Sequence, residues 1–132
     1  MIPHSVVHLN LAYCPHIRGR LQSLQNCEHL ESLMLEGCSM IEGGITPSLV
    51  DWLSGLAVKN LNSCGRLVLT GDLSEVSTTV VDLSHMSSLE GQIGDFETLP
   101  ASVTSLNLAG CWKISGAKGG LRSALPHCKI TM

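Results

Sequence analysis

Apolar residues recur along this chain in one spaced pattern, five times over. The segments VVHLNLAYCPHIRGRL (6–21), HLESLMLEGCSMIEGGI (29–45), LAVKNLNSCGRLVLTGDL (56–73), TTVVDLSHMSSLEGQI (78–93) and SVTSLNLAGCWKISG (102–116) share the template φ-x-x-L-x-L-x-x-C-x-x-I/L-x-G-x-φ, with φ apolar. The cysteine column holds Cys14, Cys38, Cys64, Met86 and Cys111, at steps of 24, 26, 22 and 25 residues. The L-x-L pair alternates with period two, which predicts a short strand with one buried side in each copy. In residues 30–45, Leu30, Leu33 and Leu35 then face inward, and Ser32, Met34 and Glu36 outward. Gly37 permits a turn, Ile41 re-enters the core, Gly43 and Gly44 allow a second bend, and Ile45 closes the copy.

The connections differ in character. TPSLVDWLSGL (46–56) predicts a short helix: Thr46 as N-cap, Pro47 at the first position, Gly55 at the stop, and Leu49, Trp52, Leu53 and Leu56 on the inner side. AKGGLRSAL (117–125) predicts a weaker helix, and GDFETLPA (94–101) an irregular or 3₁₀ segment. The third copy departs from the template. Lys59 stands where the first strand leucine should be, and Val68 and Leu69 are inserted before the glycine. An inward lysine in an apolar layer is costly, so the pattern predicts a bulge or register change there, with Val58 or Leu61 filling the layer.

A period in the twenties with L-x-x-L-x-L-x-x-N/C resembles the leucine-rich-repeat family over roughly residues 6–130. NCEHLESLMLEGCSMIEGGI is similar to the cysteine-containing subtype known from F-box-type proteins. SLEGQI, RLVLTGDL and KISG resemble the plant-type L-x-G-x-I ending. The resemblance implies an α/β right-handed solenoid of about five repeats with a concave parallel β-sheet. It places repeats near 6–29, 30–55, 56–77, 78–102 and 103–132 in a single domain at 1–132, with a C-terminal cap at 117–132. The expected sheet has five short strands and room for a sixth at Ile130. The resemblance also implies binding of other macromolecules, with catalysis in such proteins usually left to an attached domain.

Composition narrows the chemistry. The 132 residues suit one domain, and 44% apolar with 14% charged residues is a chain that buries a core. The net charge of −3 and eight dispersed basic residues lack the electrostatic footprint of a nucleic-acid binder. No stretch approaches the ~18 consecutive apolar residues of a membrane span, and MIPHSVVHLN lacks a basic and hydrophobic leader, so a classical leader is absent, removed or outside the given sequence. No G-x-G-x-x-G or Walker motif offers a nucleotide site, so no cofactor is expected. One cysteine per copy predicts packed thiols, with Cys27 and Cys128 packed as well; a bridge between Cys14 and Cys38 and a metal site are the alternatives, but C-x2-C spacing is missing and parallel side chains suit a disulfide badly. Free thiols point to an intracellular, reducing compartment. The six histidines form no metal-binding spacing, and His8 alone falls on the concave face. Glu36 and Asp82 also fall there, with backbones expected ~10 Å apart across two parallel strand spacings.

These features predict a non-catalytic protein–protein interaction module, an adaptor or accessory subunit of a larger assembly. A ligand-binding receptor fragment is one rival, weakened by the absence of any N-x-S/T acceptor; a carboxylate-dependent hydrolase using Glu36 and Asp82 is the other. The expected partner surface is the concave face and its rim: His8, Asn10, Tyr13, Met34, Glu36, Asn60, Asn62, Asp82, Asn107 and Trp112. The first repeat adds a second surface. Val6, Leu9, Leu11 and Ile17 would leave an apolar layer and a strand edge open, so a partner, self-association or upstream sequence is expected to cover Met1–Leu11 unless Met1, Ile2 and Pro3 fold over it.

Overall fold

The computed structural model describes residues 3–132. Its strands, in chain order, are β1 (His8–Asn10), β2 (Arg18–Arg20), β3 (Ser32–Met34), β4 (Met40–Ile45), β5 (Val58–Asn60), β6 (Arg66–Leu69), β7 (Val80–Asp82), β8 (Leu89–Gln92), β9 (Ser105–Asn107), β10 (Ile114–Ser115) and β11 (Lys129–Thr131). Two α-helices, α1 (Pro47–Ser54) and α2 (Gly119–Ala124), and two 3₁₀ helices, Leu21–Asn26 and Ile93–Thr98, complete the mixed α/β fold. Among the described residues all strand pairing is parallel, and no sheet closes into a barrel.

Each copy of the template supplies two strands. The L-x-L strands form a first row and the segments after the cysteine column a second. The second row was not anticipated: β2, β4, β6, β8 and β10 form one five-stranded sheet. Gly43 and Gly44 therefore lie in extended β4 and do not make a bend. Gly43 leaves room for Gln22, whose side-chain amide Nε2 donates to the Gly44 carbonyl at 2.8 Å. Val68 and Leu69, insertions by the template, extend β6.

The first row is not one sheet. β1-β3-β5 and β7-β9-β11 are two three-stranded sheets, and β5 and β7 do not pair. The expected sixth strand at Ile130 is present as β11, in register with β9. Helix α1 explains much of the break. Thr46 caps it, accepting from the Leu49 amide at 3.3 Å, and Gly55 ends it, as the sequence predicts. Its polar residues then take up donors from the fourth copy. The Ser54 hydroxyl accepts the Asp82 amide at 3.0 Å, and the Asp51 carboxylate accepts the Ser77 and Thr78 amides at 3.0 Å. A β7 amide is thus held by α1 instead of by β5.

Between the rows runs a continuous hydrophobic core, mostly aliphatic. Leu33, Leu35, Leu49, Leu53, Leu61, Leu67, Leu73, Val81, Leu83, Met86, Leu89, Phe96 and Leu106 are fully buried. The cysteine column lines it. The Cys38 thiol donates to the Leu11 carbonyl and the Cys111 thiol to the Leu83 carbonyl, each at 2.9 Å, so the column ties one copy to the copy before it. Cys14 and Cys128 are half-buried, and all six cysteines are free thiols. The residue before the column is left-handed in every copy: Tyr13, Gly37, Ser63, His85 and Gly110, with φ of 59°, 77°, 55°, 58° and 83°. Glycine suits that turn, and three copies hold it with a side chain in place.

Lys59 overturns the expected bulge. β5 keeps regular register with β3, Leu33 opposite Lys59, and Val58 points outward, 54% exposed. Leu61 is buried in its ordinary column. The lysine itself is turned inward and only 6% exposed.

Candidate functional site

The first-row strands present their outer side chains as a strip, and the predicted partner-facing residues fall into three groups. His8 and Asn10 are exposed on β1, with Met34 and Glu36 half-exposed at β3. Tyr13 and Trp112 stand out at 71% and 81% exposure, beside the first and last cysteines of the column. Tyr13 lies against Gly37, and the Glu36 carboxylate beside its phenol raises the phenol above its ordinary value of 10.0. The two aromatics belong to the first and fifth copies, so they are separate anchors.

The second group has a structural task that outward placement did not reveal. Asn10, Asn60, Asp82 and Asn107 each accept, through Oδ1, the backbone amide two residues on, at 3.0 Å in every case. These side chains close the turn that ends each strand. The signal was in the sequence: Asn or Asp recurs four residues before the column in every copy but the second, where Met34 stands. Asn62 is engaged too, its Oδ1 accepting from the Ser87 amide at 3.1 Å.

The third group surrounds the break between β5 and β7. One backbone bond and several side-chain bonds replace the missing ladder there. The Leu61 amide reaches the His85 carbonyl at 2.8 Å, and the Ser63 amide donates to the Ser87 hydroxyl at 2.9 Å. The Lys59 ammonium lies 3.1 Å from Asp82 Oδ1, which also accepts the Ser84 hydroxyl at 2.6 Å and the Ser84 amide at 3.0 Å. Burial pulls the Lys59 pKa below 10.5, with Asp82 opposing it. Burial also works against a charged Asp82, yet the Ser84 donors and Lys59 outweigh it and hold the carboxyl below 3.8. A cleft of about 270 Å³ opens here, lined by Leu56, Val58, Lys59, Asp82, Ser84 and His85.

The expected spacing of Glu36 from Asp82 assumed an unbroken sheet and does not apply across this break. Each carboxylate has its own partners, Glu36 Oε2 accepting from Asn60 Nδ2 at 3.3 Å. The histidines, His8 among them, are exposed. Among the described residues no group of three or more His, Cys, Asp or Glu side chains converges on a metal-sized site.

Val6, Leu9 and Leu11 pack against the core but stay half-buried, whereas Leu30, Leu33 and Leu35 of the next copy are buried. Among the described residues β1 pairs on one side only. Pro3 contributes its carbonyl to the Val6 amide at 3.3 Å, and Met1 and Ile2, the rest of the expected lid, lie outside the described residues.

Among the described residues no helix is long and apolar enough to cross a membrane. Comparison with protein-family models, with curated proteins and with solved structures finds no match.

Proposed function

We propose that this chain is a leucine-rich-repeat solenoid acting as a non-catalytic protein-binding module, an adaptor or accessory subunit in a reducing intracellular compartment. One observation carries the reading: within each of the two first-row sheets successive copies set their outer side chains side by side on parallel strands, and two highly exposed aromatics, Tyr13 and Trp112, flank the row. Side chains so displayed form a surface wide enough for a macromolecule, and exposed aromatics are the residue type on which binding energy concentrates. The parallel pairing of copy on copy, the repeat spacing and the thiol-lined core support the solenoid. The half-buried layer of Val6, Leu9 and Leu11 supports a covered first copy in the assembly.

The test is affinity capture from the native source with the whole chain as bait, beside Tyr13→Ala and Trp112→Ala. The reading expects a stoichiometric protein partner whose retention falls in at least one variant. Equal recovery with wild type and both variants would remove the aromatics from the interface. A chain that retains no protein at all would remove the module.

A further inference from the structure

The break between β5 and β7 lies inside the array, with a copy on either side. Three observations there point to a ligand. First, every donor on Asp82 converges on one oxygen: Lys59, the Ser84 amide and the Ser84 hydroxyl all meet Oδ1, and among the described residues no donor reaches Oδ2. Asp82 is half-exposed, and Oδ2 retains lone pairs for a donor arriving from outside. Second, Val58, the first residue of β5, is 54% exposed and lines the cleft that opens beside this carboxylate. Third, that cleft is about 270 Å³, the size of one long side chain and not of a folded element.

We propose that this break receives an arginine side chain from an extended segment of a partner protein, an inference that rests on the interaction-module reading. An arginine has what the site lacks. Its stem and guanidinium faces are weakly hydrated and pack on Val58, and its N–H groups donate to Asp82 Oδ2. Lys59 stays on Oδ1, so one carboxylate bridges an internal cation and an incoming one, and the Ser84 donors hold it in place. An acidic or neutral apolar side chain would leave Oδ2 without a donor under a covering group, which is unfavourable. The guanidinium is preferred to an ammonium because it is the more weakly hydrated cation and surrenders less on leaving water.

The test uses the whole chain and a defined probe, the capped tripeptide acetyl-Val-Arg-Val-amide, with the Glu and Lys tripeptides as controls, followed by amide chemical shifts. The expected result is shifts confined to Val58, Lys59, Asp82, Ser84 and His85, a Glu peptide that is silent and a Lys peptide that binds more weakly. Asp82→Asn should weaken the Arg peptide at least about tenfold. That variant also disturbs Lys59, so Val58→Lys is the second: position 58 is exposed, the fold is untouched, and repulsion should give a similar loss. Scattered shifts, equal binding of the Glu peptide, a Lys peptide at least as tight, silence at millimolar Arg peptide, or full binding by Val58→Lys would each overturn the proposal. So would a dimer of the free chain that Val58→Lys dissolves, because the break would then belong to a second copy. A chain that fails with the peptide but still captures a partner through Tyr13 or Trp112 keeps the module and loses this site.

Discussion

Lys59 and Asp82 hold each other across the break between β5 and β7, ammonium to carboxylate oxygen at 3.1 Å. The two ends of this pair are not equivalent. Lys59 is almost wholly enclosed, while Asp82 is about one-third open and has Ser84 as a second source of donors. Removing the acid therefore strands a buried ammonium, whereas removing the base leaves a carboxylate that is still solvated and hydrogen-bonded. Asp82→Ala is expected to cost about 3 kcal/mol. Lys59→Leu, which restores the template residue, is expected to cost under about 1 kcal/mol. Urea unfolding of the two variants checks this, and equal losses would show that the pair is not asymmetric.

The same carboxylate gives the acid side of the stability profile a sign. The folded Asp82 carboxyl titrates below its ordinary 3.8. Between the two values the unfolded chain binds more protons, so the stabilisation is present above about pH 4 and drains away as pH falls through the folded value. Asp82→Asn should flatten that limb relative to wild type. Thermal melts between pH 6 and pH 2.5 measure it, and parallel curves for the two proteins would assign the acid limb to other groups.

Two glycines with positive φ separate backbone strain from steric exclusion. At Gly65, φ +47°, an added Cβ would lie 1.6 Å from the Ile41 carbonyl oxygen; at Gly71, φ +98°, nothing lies within 4 Å. Gly71→Ala should cost only the left-handed penalty, about 1–2 kcal/mol. Gly65→Ala must also push the second and third copies apart, and a loss of about 4 kcal/mol or failure to fold is expected. Melting temperatures that fall equally would contradict the close approach of Gly65 to Ile41.

Thiol reactivity should divide the cysteines by burial. Burial pushes the Cys64 thiol up to about 12 and the Cys111 thiol to about 11. Only the thiolate reacts with an alkylating reagent. In native protein at pH 8, iodoacetamide should label half-buried Cys14 and Cys128 first and leave Cys38, Cys64 and Cys111 unmodified until the chain unfolds. Peptide mass mapping over time reads the order. Early labelling of Cys64 would mean that the third copy opens locally.

What the sequence determined by itself is whatever repeats within a few residues. The L-x-L alternation placed Leu33, Leu35, Leu106 and Leu108 inward, because a strand has period two. Thr46, Pro47 and Gly55 delimited α1, because a helix end must satisfy its own amides locally. The cysteine column was legible as packed thiols for the same reason. Outward position was legible as well, but not all that an outward side chain does: Asn10, Asn60, Asp82 and Asn107 read as partner-facing, and each also closes its own strand end. The tertiary structure alone decided the five-stranded sheet of the second row, the division of the first row at β5 and β7, and the fate of Lys59. Each of these depends on which group of one copy meets which group of the next, more than twenty residues away along the chain. The template is averaged over copies and carries no record of such pairings. A lysine in a leucine column looks like an error until the next copy, displaced by α1, sets a carboxylate against it; the Coulomb attraction and the Ser84 hydrogen bonds that make the position tolerable exist only after the copies have stacked.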